Sequence, residues 1–155
     1  MRQIEAALKD CDQIYMLVQE TIRTIYPKYY PAEVVDFFSN LHNSENIRRD
    51  IGDRAVDLFY EDDVLIGTGT CMADHITRVF VLPMYQGRGY GSQIMQYLEE
   101  KVSKKHDKVC LDASLPACQF YERRGYVTVR HETWDCENDV VLVYGIMEKY
   151  LTAKA

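Results

Sequence analysis

The residues with the plainest chemical purpose are Gln86, Gly87, Arg88, Gly89, Tyr90, Gly91 and Ser92. Three glycines stand on alternate positions, with an arginine between the first two. Ahead of them is an apolar run, Val79-Phe80-Val81-Leu82, and behind them Ile94, Tyr97, Leu98 and Val102 recur at helical spacing. A strand, a glycine turn and a helix start make an anion site. The first N–H groups of a helix have no intrahelical partner, and the macrodipole adds partial positive charge there. Glycines remove the Cβ atoms that would hold a phosphate away from those groups. Arg88 adds a permanent charge on a planar donor fork. A phosphate or pyrophosphate is the ligand this chemistry suits, and a tight structural connection is the alternative reading. The Gly-x-Gly-x-Gly spacing is not the dinucleotide fingerprint, and no Gly-Lys-Ser/Thr follows as in a P-loop.

The elements that must position this turn can be read along the chain. Arg2 to Leu8 is a candidate first strand with Ile4 inward. Asp10 is a candidate N-cap, with Gln13 completing a capping box. Ile14, Leu17, Val18, Thr21, Ile22 and Ile25 then form one helical stripe that ends before Pro27. Pro31 suits the first turn of a second helix, and Asn43 or Ser44 the start of a short third. Val56 to Tyr60 and Val64 to Cys71 read as a hairpin around Glu61-Asp62-Asp63. Gly67 and Gly69 mark a bulge or a close backbone approach in its second strand. The organising strand stops at Pro83, which cannot donate to a ladder. The helix after the turn ends near Lys104-Lys105-His106. Val109 to Leu111 is a short buried strand, and a helix follows from Pro116 to Arg124, with Gly125 at its C-cap. Val127 to Trp134 and Val140 to Met147 form a last hairpin, and Thr152 to Ala155 is expected to fray.

At 155 residues the chain is expected to be one domain spanning 1–155. A net charge of −6 argues against binding a phosphate backbone, so no nucleic-acid partner is expected. With no long apolar run and no signal-peptide pattern, no membrane partner is expected and the reading is cytoplasmic. Five cysteines without CxxC spacing argue against a disulfide framework or a metal site, and are read as small buried apolar residues. Twelve tyrosines suit the walls of a ligand cleft as well as ordinary core edges.

Gln86-Gly87-Arg88-Gly89-Tyr90-Gly91 resembles the Gln/Arg-x-x-Gly-x-Gly/Ala motif of the GNAT superfamily of N-acetyltransferases. Downstream, the stretch from Ser114 through Ala117 and Tyr121 to Gly125-Tyr126 resembles that family's Asn-x-x-Ala-x-x-x-Tyr-x-x-x-Gly-Phe/Tyr pattern. The resemblance covers about Val64 to Tyr126. It implies an α/β (mixed α+β) fold: a twisted, mostly antiparallel mixed sheet with a central splayed strand pair and helices on both faces. It also implies acetyl-CoA as co-substrate. Gln86 to Ser92 would carry its pyrophosphate. Phe80, Val81 and Leu82 would lie along the pantetheine, with the Phe80 N–H on the acetyl oxygen. Ser114, in place of the usual Asn, with Ala117 and Phe120, would complete the donor site.

By the same resemblance Tyr121 would protonate the departing sulfur, a task that a phenol suits. The base would come from the start of the central strand, where Asp74 and His75 stand. Histidine is the side chain that titrates nearest neutrality. Thr77 could only position a water, and Asp112 is a further candidate. The acceptor wall would draw on Tyr26, Tyr29, Tyr30, His131, Trp134 and Tyr144. The expected activity is direct acetyl transfer to a primary amine of a small molecule, with no metal, by a monomer or homodimer. A peptide or protein amine as acceptor, or a non-catalytic acyl-CoA sensor, is the alternative.

Overall fold

The computed structural model describes residues 1–152, so the expected fraying at the C-terminus falls outside the described residues from Ala153 on. Seven strands and five helices follow in the order β1 (Arg2–Glu5), α1 (Cys11–Ile25), α2 (Ala32–Leu41), α3 (Ser44–Gly52), β2 (Val56–Glu61), β3 (Val64–Met72), β4 (His75–Val81), α4 (Tyr90–Ser103), β5 (Lys108–Ala113), α5 (Leu115–Arg123), β6 (Val127–Asp135) and β7 (Val141–Tyr150). They form one mixed sheet, β1-β2-β3-β4-β5-β7-β6, in which only β4 and β5 pair in parallel.

Two apolar layers sandwich this sheet. On one face the α1 stripe of Ile14, Leu17, Val18 and Ile22 packs with Ile47 and Ile51 of α3 against Leu58 and Phe80. On the other, Ile94, Met95, Leu98 and Val102 of α4 pack against Phe59, Ile76, Leu111 and Met147. The 3.6-residue period places each helix stripe on the sheet.

The edges differ from the sequence reading. β1 ends at Glu5, and Ile4 is exposed because β1 is an edge strand whose apolar contact comes instead from Ala6. Asp10 does precede α1, but its carboxylate turns back to accept from the Ala7 N–H (2.8 Å) and from Gln13 Nε2 (2.9 Å) rather than capping the helix. Among the cysteines only Cys11 is buried.

The centre of the sheet carries the feature that matters for function. Thr70 pairs with Thr77 and Thr68 with Phe80, so Arg78 and Val79 together stand opposite Gly69. The extra residue is a bulge, and Arg78 adopts φ +47 there. Because strand side chains alternate with period two, one inserted residue moves everything after it to the other face. Ile76 packs on the α4 side, whereas Phe80 packs on the α1 side. Pairing of β4 with β5 is confined to His75–Cys110 and Ile76–Leu111. Beyond the bulge the two strands part.

Glycine explains how α4 lies so close over this centre. A Cβ on Gly67 would stand 2.7 Å from Ile94 Cδ1 and 3.0 Å from the Phe80 carbonyl oxygen, and one on Gly69 would stand 2.6 Å from Leu98 Cδ1. Both sequence readings of these glycines, bulge and close approach, therefore hold. Gly67→Val must displace helix or strand, and chemical denaturation should show a loss of about 1–3 kcal/mol. An unchanged midpoint and slope would mean that the helix rides freely on the sheet.

Candidate active site

Where β4 and β5 part, a cavity of about 510 Å³ opens, running from the glycine turn to the α1–α3 face. A second hollow of about 450 Å³ lies between the C-terminal half of α4 and Leu151, away from the turn. The volumes are similar, so the polar groups decide. The first holds a helix N-terminus, free strand amides and a buried phenol, whereas the second holds surface side chains of α4 and the segment after it.

The end of the cavity at the glycine turn is built from α4. Its N-cap, Gly89, has φ +86, and Gly87 has φ +76, conformations that cost side-chain-bearing residues about 1–2 kcal/mol. The backbone of the turn thereby borders the opening. Gly87, Gly89, Gly91 and Ser92 line the cavity. Gly91 faces Phe120 of α5, whose ring would stand 3.5 Å from a Cβ there. Arg88 and Tyr90 are not among the lining residues. The Arg88 guanidinium stacks on Tyr85, 5.3 Å from the ring centroid.

Strand register decides which amides face the opening. The Leu82 N–H donates to the Ile66 carbonyl (2.8 Å), so Leu82 and Ile66 form a hydrogen-bonded pair. Alternation makes Phe80–Thr68 another such pair, and Val81–Gly67 a non-bonded one. The Phe80 N–H is therefore turned to β3. Val79 and Val81 present their N–H groups to the cleft instead, one residue off the sequence reading. A bulge cannot be counted from the sequence, which accounts for the shift. The Val81 carbonyl, on the same side, accepts from Gln86 Nε2 (2.9 Å), which ties the strand end to the turn. Phe80 and Val81 line the cavity, and Leu82 packs into the α1 layer.

Tyr121 is buried on α5 between Phe120 and Tyr126. Burial first, then neighbouring Tyr26, push its phenol well above the usual tyrosine range, so it stays protonated. Among the described residues its hydroxyl has no hydrogen-bond partner, yet it is not sealed from solvent, and the residue lines the cavity. Ser114, at the N-cap of α5, and Ala117 line the same wall.

Two of the tyrosines assigned to the acceptor tie elements together. The Tyr30 hydroxyl accepts from the Leu115 N–H, one of the orphan donors at the start of α5. The Tyr26 hydroxyl donates to Ser114 Oγ (3.4 Å), and burial pushes its phenol up to about 12. Of the six acceptor candidates only Tyr26 lines the cavity. Tyr29 and His131 are exposed, and Tyr144 donates to Glu132 (3.2 Å) on the β6–β7 hairpin. Trp134 rests on Phe37 of α2, with centroids 5.3 Å apart.

Of the base candidates, Asp74 sits in the β3–β4 turn outside the cavity lining, its carbonyl accepting from the Cys110 N–H. His75 is half-exposed, with Nε2 3.7 Å from Asp112 Oδ1, and Asp112 itself lines the cavity. The parallel pairing of the start of β4 with the middle of β5 brings this His–Asp pair together.

Sequence reading missed Arg78 and His42. Arg78 Nη1 donates to Asp50 of α3 (2.9 Å) and to Thr70 Oγ1 (3.3 Å), and Nε donates to His42 Nδ1 (3.2 Å). His42 follows α2 in a connection that Gln19 of α1 holds by its Ser39 and His42 carbonyls. Burial, then the Arg78 charge, hold its imidazole down to about 3, so it is neutral with its proton on Nε2. A charged residue inside an apolar strand run was the available signal for Arg78. A loop histidine gives none.

Acetyltransferase (GNAT) domains match residues 25–144 of the chain, most of its length, and the protein belongs to this family. It is an acetyltransferase of the class that takes its acetyl group from acetyl-CoA. Solved structures share the fold. A GCN5-related N-acetyltransferase from Rhodopseudomonas palustris superposes with TM-score 0.88 at 21% identity, over 97% of this chain and 95% of that one. A Salmonella typhimurium protein with its cofactor acetyl-CoA gives 0.73 at 14%, over 100% and 96%. The ribosomal-protein-S18-alanine N-acetyltransferase from Escherichia coli gives 0.72 at 13%, over 99% and 96%. No protein with a curated description matches the sequence significantly. Among the described residues no helix is long and apolar enough to cross a membrane, and no three His, Cys, Asp or Glu side chains cluster as a metal site would need.

The depressed histidine has a consequence for stability. An unfolded histidine takes up its proton near pH ~6.5, whereas folded His42 resists until about 3. Its contribution is complete above the upper value and is lost as pH falls toward the lower one. Urea unfolding from pH 7 to pH 4 should therefore show wild type losing stability more steeply than His42→Asn. Parallel curves would mean that the imidazole is not buried neutral.

Proposed function

We propose that this single domain moves an acetyl group from acetyl-CoA to the primary amine of a small molecule, directly and without an acyl-enzyme. The observation that carries the reading is the Tyr121 phenol, buried, kept protonated and opening without a protein partner onto the cavity that also receives the α4 N-terminus and the free β4 amides.

The residues fit the donor. The α4 turn offers backbone N–H groups and positive dipole to a pyrophosphate. Val79 and Val81 offer strand amides to an extended amide chain, as an added strand would be held. When bound, the donor supplies an activated thioester carbonyl and a thiolate leaving group. The Val79 N–H, at the bulge, is the amide placed to stabilise charge developing on the carbonyl oxygen. Tyr121 holds a proton for the sulfur. On the acceptor side Asp112 attracts an ammonium, and with His75 behind it gives the amine proton a route to solvent. Asp74 has no part in this scheme.

The small-molecule reading rests on α2. This helix walls the cavity through Phe38 and Leu41, and it is also held to the β6–β7 hairpin. Phe37 packs on Trp134, and Asn138 Nδ2 donates to Glu33 (3.3 Å). A polypeptide acceptor would have to part these two elements. Five free cysteines suit a reducing, cytoplasmic setting.

Calorimetric titration with acetyl-CoA, CoA, ATP and NAD, followed by free-thiol detection on an amine panel, tests the proposal. Selective acetyl-CoA binding with turnover supports it, and binding without turnover supports a sensor. Tyr121→Phe should lower kcat by about 10²-fold while leaving the acetyl-CoA Kd unchanged. An undiminished kcat would remove Tyr121 as the acid.

A further inference from the structure

The Arg78–His42 pair is more than the anchor of a bulge. The Arg78 side chain is only 5% exposed. Its Nε and Nη1 donors are engaged, but both N–H groups of Nη2 lack a partner among the described residues. Nη2 is nevertheless not a sealed, unsatisfied atom, and Arg78 lines the cavity. The same holds for His42. Its Nδ1 is occupied by Arg78, its Nε2–H has no partner among the described residues, and it too lines the cavity. Two donors from one hydrogen-bonded unit therefore open onto the acceptor end, beside Phe38 and Phe80.

The charge of this unit favours an anion over a neutral carbonyl. Asp50 accepts from Arg78 on Oδ2 and from the solvent-exposed Arg49 on Oδ1 (3.3 Å), so the buried Arg78 shares its carboxylate with a second cation and is only partly neutralised by it. The chain as a whole carries −6, so this positive pole is a local arrangement. Asp112, on β5, supplies a negative pole in the same cavity.

Resting on the acetyl-CoA reading above, we propose that Arg78 and His42 recognise the acceptor, and that the acceptor is a small amine bearing a carboxylate. Its carboxylate meets Arg78 Nη2 and His42 Nε2–H, and its ammonium faces Asp112. A guanidinium fork next to a neutral imidazole suits the two oxygens of a carboxylate. A simple alkylamine or polyamine offers these donors nothing in place of the water it displaces, which is how a polar site rejects the wrong substrate.

The test uses α-, β- and γ-amino acids beside the primary amides of the same skeletons, with acetyl-CoA saturating. The best carboxylate should exceed its own amide at least about tenfold in kcat/KM, the worth of one charge-assisted contact. His42→Phe keeps the volume, and Arg78→Lys keeps the charge but not the fork. Each should bring acid and amide to near parity, and His42→Phe, which lies off the bulge, should do so while leaving the acetyl-CoA Kd unchanged, as mere loss of structure would not. If Arg78→Lys fails to fold, His42→Phe decides. Equal rates on acid and amide in wild type, or a preference that survives both variants, overturns the assignment. Acetyl-CoA binding with no carboxylate acetylated also overturns it and leaves the donor site standing. Absence of acetyl-CoA binding overturns the functional reading itself.

Discussion

The structure depends on one buried ion pair, Arg78 with Asp50. Arg78 occupies a left-handed backbone conformation that a bulky residue adopts at a cost of about 1–3 kcal/mol, and the sheet would run more regularly without it. The guanidinium is fixed by Asp50 and Thr70 and bonded to His42, so the bulge is held from three elements at once. From that bulge follow the change of face along β4, the parting of β4 from β5 and the free amides in the gap. Removing one partner of such a pair is costly because the other charge stays buried. The pair ties the geometry of the parted strands to the packing of α3.

Much of the fold was legible in the sequence. The helix stripes, the strand order and the glycine turn each carry a local signal, namely a period, a breaker or a missing Cβ. The turn proposed to hold the donor was legible for the same reason, since it consists mainly of backbone groups in a short motif. The acceptor side was not. Of the aromatic residues named from the first helices and the last hairpin, Tyr26 and Tyr30 bond to α5, Trp134 rests on Phe37, Tyr144 bonds Glu132, and Tyr29 and His131 are exposed. The residues proposed to meet the acceptor, His42, Arg78 and Asp112, come from a loop and two strands with no shared spacing. Only the long-range pairing of β4 with β5, and of α3 with β4, brings them together.

The one-residue offset between Phe80 and its neighbours shows where pattern reading stops. An apolar run of four residues reads the same in either register. Which amides face the cleft is fixed only by the count of residues in the bulge. That count is set by Gly69 on the partner strand and by the Arg78 anchor below it.

Gly69 deserves a wider reading for this reason. On one side it lies opposite the bulge, and on the other it lies beneath Leu98 of α4, the helix that begins at the glycine turn. The two halves of the proposed site, the bulge and the glycine-turn helix, thus share a single backbone position with no side chain to absorb movement. Drift at Leu98 or Ile94, neither of which meets a substrate, is transmitted as displacement to both halves. Such residues should evolve at the pace of the site they never touch.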